Sequence, residues 1–165
     1  MLSIMNRSFA TIVTILLAMG TATFAAQPST TEADVLALES SAHAGKREAI
    51  RSLFNLQTRS DGAVSEYIDI VLGSTIRKNP QVFLEELKRA EKKGRVDALL
   101  GNTGPDLVDR FEEQAVELKN RRAALLTVGE ASLIEVRDAC IRELDRQIEE
   151  LTTAAQQFAL PESRR

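Results

Sequence analysis

The chain has 165 residues (18.2 kDa), is 44% apolar and 27% charged, and sets 21 Lys and Arg against 24 Asp and Glu for a net charge of −3. That composition fits one domain with a real core and excludes a disordered polyampholyte, and the acidic balance (pI near 5.3) runs against a nucleic-acid binder. One cysteine (Cys140) and one histidine (His43) close neither an internal disulfide nor a four-ligand zinc site.

The N-terminus reads as an address. Arg7 is the only charge among residues 1–31, and the eleven-residue apolar run Phe9 to Met19 follows it. Gly20 breaks that run, and Thr23-Phe24-Ala25 places small residues at −3 and −1 of a cleavage site. The layout predicts a secretory signal peptide over 1–25, cut after Ala25. Eleven apolar residues fall short of the roughly 20 that a membrane span needs, so no stable membrane anchor is expected after cleavage. Cleavage leaves 20 basic against 24 acidic residues and no Asn-x-Ser/Thr sequon. The expected location is periplasmic or secreted.

Residues 26–165 predict a single all-α domain, since every periodic segment has the helical period and no run alternates as a strand does. Ser29-x-x-Glu32 has capping-box spacing and opens a first helix to about Ala42. A second follows Gly45, from about Lys46 to Thr58. Ser60-Asp61-Gly62 starts a third, whose apolar set Val64, Tyr67, Ile68, Val71, Leu72 and Ile76 forms a broad stripe. Asn79 and Pro80 open a fourth as N-cap and first residue, ending at Gly94. A short helix runs from Arg95 to Leu100 into the turn Gly101–Gly104. This block of short helices (30–100) resembles units of HEAT- or TPR-like α-solenoids in general shape, without a repeat period; the likeness is architectural and implies no family.

From Pro105 the pattern lengthens. Leu107, Val108, Phe111, Ala115, Leu118 and Leu125 form one stripe ending near Val128. After Gly129, Ser132-x-x-Glu135 caps a last helix carrying Leu133, Val136, Cys140, Leu144, Ile148, Leu151, Ala155 and Phe158. The short connection predicts a long antiparallel helical hairpin over 105–160. A turn centred at Glu130 and Ala131 would set Leu125 against Val136, Leu118 against Leu144 and Phe111 against Leu151. Arg121 and Arg122 would then face Cys140, one turning outward and the other, Arg122, finding Asp138.

The chemistry-bearing residues read mostly as structural. His43 falls in a connector with no nucleophile or second ligand near it in sequence, the setting of a solvated linker histidine. Cys140 lies on an apolar stripe, the place of a small core hydrophobe. The clusters Arg77-Lys78, Lys88-Arg89 with Lys92, Lys93 and Arg95, and Arg121-Arg122 sit toward helix C-termini, while acids gather toward N-termini; dipole complementarity accounts for both. Adjacent acids such as Glu85-Glu86, Glu112-Glu113 and Glu149-Glu150 diverge around a helix, and without Trp there is little sugar platform, so glycoside hydrolysis is not expected. Leu151-Thr152 with Gln156 misses the Leu-Thr-x-x-Gln motif of Spy-type periplasmic chaperones by one place.

No catalytic, cofactor-binding or metal residue is therefore assigned. The expectation is an exported, non-enzymatic helical protein that binds another protein or assists envelope assembly. The alternative is a small exported enzyme or enzyme inhibitor acting through Ser60-Asp61-Gly62 or Gly101–Gly104.

Overall fold

The computed structural model describes residues 31–60, 62–90 and 96–159, so the leader expected over 1–25 and the capping residue Ser29 lie outside it. Among the described residues the chain is all-α, with seven α-helices and no strand: α1 (Glu32–His43), α2 (Arg47–Gln57), α3 (Gly62–Lys78), α4 (Pro80–Arg89), α5 (Val96–Gly101), α6 (Phe111–Leu126) and α7 (Ile134–Ala159). No described helix is long and apolar enough to cross a membrane.

Helix α1 starts one residue after Thr31, whose backbone N–H and hydroxyl both donate to Asp34 Oδ2 at 2.8 Å. The box is thus one built on Thr31 and Asp34. Helix α3 is the axis of the molecule. Ile68, Val71, Leu72 and Ile76 are buried as their spacing implies, but Ser65, Asp69, Gly73 and Thr75 are buried too, so solvent meets little of its circumference. Its neighbours are α1, α2, α4, α5 and α6. A stacked solenoid would let each unit meet only the next; here one helix packs against five others.

Local signals were overridden at three places. Pro80 is the first residue of α4, but the Asn79 side chain does not cap it; its Nδ2 donates instead to the His43 carbonyl at 3.0 Å, across 36 residues of sequence. The stripe expected from Pro105 is interrupted. Pro105–Leu107 form a single 3-10 turn, and Arg110 is non-helical (φ −114°, ψ 66°) before α6 begins. The Gln114 amide takes the Leu107 and Val108 carbonyls, which a continuous helix would have needed. Ser132 likewise caps nothing, lying in a 3-10 turn (Ala131–Leu133) ahead of α7.

Helices α6 and α7 form the most extensive packing in the fold. Arg122 Nε meets Asp145 Oδ1 at 2.6 Å, and the Phe111 and Phe158 rings stack, so residue numbers rise on one helix as they fall on the other. These partners are later on α7 than the expected Asp138 and Leu151. The cause is geometric. Helical side chains lean toward their own N-terminus, so facing residues of antiparallel helices meet with both numbers raised, and the 3-10 turn lengthens the connection. Asp138 is held by Arg137 instead.

Candidate functional site

Four polar clusters arise where helices cross. The first is at the C-terminus of α1. His43 is the last residue of that helix and half-buried, not a solvated linker residue; its Nε2 lies 2.5 Å from Ser74 Oγ on α3. One turn earlier on α1, Glu39 Oε2 accepts from the Tyr67 hydroxyl at 2.7 Å, which with burial pushes that phenol up to about 12. Burial, then the Lys78 ammonium, hold His43 below its ordinary 6.5 against the opposing pull of Glu39. A serine beside a histidine invites a nucleophile reading. The hydroxyl of Ser74, however, donates to the Val71 carbonyl at 2.9 Å in its own helix, so the neutral ring is the donor to Ser74. The nearby N–H groups of Ala44, Gly45 and Lys46 all donate to α1 carbonyls, leaving none of the three to stabilise an oxyanion. This pair ties α1 to α3.

The second cluster surrounds Glu86, which is 1% exposed. Arg51 holds it bidentately from α2 (Nε to Oε2 2.8 Å, Nη2 to Oε1 3.0 Å), with Arg47 at 3.4 Å and Arg89 at 3.3 Å. Arg47 also pairs with Glu85. The hydrogen bond from Arg51 is the main reason the Glu86 carboxyl lies below its ordinary range although burial opposes it.

The third cluster centres on Arg121, 2% exposed and turned inward rather than outward. Its guanidinium donates to the carbonyls of Leu100 (2.8 Å) and Asn102 (3.0 Å) and pairs with Glu117 at 3.3 Å. Burial pushes the guanidinium pKa down, with Glu117 opposing. Of the other basic residues, Arg77 pairs with Glu117 (2.6 Å), and Lys88 donates to the Ser132 carbonyl (2.8 Å). Basic residues expected to answer helix dipoles are thus also spent tying helices together. Lys92, Lys93 and Arg95 lie outside the described residues.

The fourth is an open cleft of about 500 Å³ between α3, α5 and α7, edged by Glu66, Asp97, Arg146 and Glu150. Asn102 of the Gly101–Gly104 turn is committed on both sides of its amide: Nδ2 donates to the Glu66 carbonyl and Oδ1 accepts from Gly104 N–H. Arg146 is engaged by Glu143 and Glu150. Asp61 of the other candidate loop lies outside the described residues. No group of three or more His, Cys, Asp or Glu among the described residues is placed to hold a metal ion.

What these clusters leave unexplained is apolar. The α7 stripe is buried at Cys140 and Leu144, partly covered at Ile148, Leu151 and Ala155, and open at Phe158, which is 77% exposed. Phe158 stacks on Phe111 with centroids 5.2 Å apart and planes 25° apart. The sequence pattern carries the stripe to Phe158 but does not show that this end of it is left mostly exposed.

No family model, curated protein or solved structure matches this chain.

Proposed function

We propose that this chain is an exported, non-enzymatic helical protein that binds another protein, in the manner of an envelope-assembly accessory factor. The observation that carries the reading is the aromatic pair Phe111–Phe158, whose outer member, Phe158, is 77% exposed at the end of an otherwise covered apolar stripe. Exposed aromatics rimmed by polar groups are what protein partners bury. The commitment of Ser74 and His43 to ties within the fold supports a non-enzymatic role. Export rests on the pattern of residues 1–25.

Two measurements test this. Intact mass of the exported chain should begin at Ala26. A photo-crosslinking amino acid placed in turn at Leu36, Val116 and Phe158, all more than half exposed, should give a discrete adduct with another protein at one position or more. A mass retaining residues 1–25 overturns export, and no adduct at any position overturns protein binding. The alternative, an enzyme or inhibitor acting through Gly101–Gly104, is favoured only by the cleft beside that turn; turnover lost on Asp97→Asn would establish it.

A further inference from the structure

We infer that the groove where the N-terminus of α6 meets the C-terminus of α7 docks a partner segment presenting one apolar side chain flanked by arginine or lysine. The inference rests on the protein-binding reading and names the surface and the chemistry. The groove measures about 250 Å³, with the Phe111–Phe158 pair and Ala155 as its apolar lining. That is below the roughly 300–1,000 Å³ of sites that enclose small molecules, and suits a side-chain anchor. The apolar series Leu151, Ala155 and Phe158 follows the i, i+4, i+7 spacing with which a helix face seats a partner.

The rim sets the sign of the partner. Among the described residues, Asp109, Glu112 and Glu113 stand on it with one cation, Arg110, and Arg110 is already paired with Glu113. Asp109 and Glu112 are exposed, and no ion pair involves either of them among the described residues. Glutamates in the first turn of α6 also suit its dipole, but the dipole gives no reason for an open phenylalanine. An arginine seated beside that ring gains both a carboxylate and a cation–π face. Charge also decides against two other occupants, a second copy and a lipid surface. An isologous contact with a second copy would bring two acidic rims together, and anionic lipid headgroups would meet the same repulsion.

The test uses the full chain and two fluorescein-labelled ten-residue peptides, one alternating leucine with arginine and one with glutamate replacing every arginine. Anisotropy titrations should show the arginine peptide binding at least ~10-fold more tightly than its acidic counterpart. Phe158→Ala should weaken it at least ~10-fold, as loss of a central anchor does, with unchanged helicity because the side chain is exposed. Asp109→Asn with Glu112→Gln should weaken it and flatten its salt dependence. Equal binding of both peptides, no binding of either, or indifference to Phe158→Ala overturns the inference. So does self-association that Phe158→Ala abolishes, or preference for phosphatidylglycerol vesicles over the peptide. Adducts confined to Leu36 or Val116 in the crosslinking experiment would sink this site while leaving the protein-binding reading in place.

Discussion

The guanidinium of Arg121, on α6, occupies space that a side chain on Gly73, on α3, would fill. A Cβ at residue 73 would lie 2.9 Å from Arg121 Cζ and 2.9 Å from the Leu99 carbonyl oxygen. Glycine inside a helix costs about 0.5–1 kcal/mol relative to alanine. Here that cost is offset by what the gap admits: a donor for the carbonyls of Leu100 and Asn102, at the end of α5 where no intrahelical N–H remains.

Gly73→Ala should therefore destabilise the fold by about 1–3 kcal/mol, although helix propensity alone favours alanine. Arg121→Met should cost about 2–4 kcal/mol by leaving the buried Leu100 carbonyl and the half-buried Asn102 carbonyl without this donor. The two losses should sum to more than that of the double variant, because removing the guanidinium relieves one of the two clashes. Urea denaturation of the four proteins measures the coupling; strict additivity would mean that Gly73 is not there for Arg121.

Cys140 is 1% exposed, and burial pushes its thiol up to about 12. A thiol so placed has almost no thiolate at neutral pH and no path for a bulky reagent. A maleimide should leave native protein unmodified over hours and react at once in denaturant. Rapid modification in buffer would remove Cys140 from the core.

What was legible in the sequence follows from the range of each interaction. The all-α class and the inward residues of α2, α3 and α7 come from periodicity, a property of neighbouring residues, and those stripes are buried or partly buried where the spacing put them, except at Phe158. The position of Asn79 before Pro80 is a local signal for a cap, whereas its partner, the His43 carbonyl, is supplied by tertiary contact. His43 looked like a linker residue for the same reason: Ser74 lies 31 residues away. Arg121 could not be placed from sequence, since the carbonyls that need it end a helix some twenty residues earlier. The Phe158 end of the stripe was visible as pattern; its exposure is a fact about the other helices.

Glu86 joins α2 and α4 through a carboxylate that is buried while its arginines stay accessible, with Arg51 43% exposed. Glu86→Gln should cost about 1–3 kcal/mol, below the 3–5 of a wholly buried pair, because the freed guanidinium groups can rehydrate. The loss should persist at high salt, since the carboxylate itself is shielded from counterions. Urea midpoints at low and high salt check this. A midpoint unchanged from wild type would show that the arginine cluster is ornamental to stability.

Acid should weaken the protein through two sets of groups, whose losses begin at different pH. The folded pKa of His43 lies below the ordinary 6.5, so the unfolded chain binds the proton more readily. The stability contributed by the neutral ring is then present above pH 6.5 and falls away as pH drops from there toward the depressed folded value. The carboxyls of Glu86, Glu85 and Glu143 are also depressed, from an ordinary 4.5, mainly by hydrogen bonds from Arg51, Gln81 and Arg146 respectively. Their contribution is complete above pH 4.5 and is lost as pH falls through their folded values. Urea midpoints measured from pH 8 to pH 3 should accordingly show an upper step that begins below pH 6.5 and a lower one that begins below pH 4.5. His43→Gln, which keeps an amide donor for Ser74 but cannot titrate, should abolish the upper step and leave the lower one; Glu86→Gln should reduce only the lower. A wild-type midpoint that rises between pH 7 and pH 5.5 would reverse the sign assigned to His43 and place its ring in contact with a carboxylate instead of Ser74.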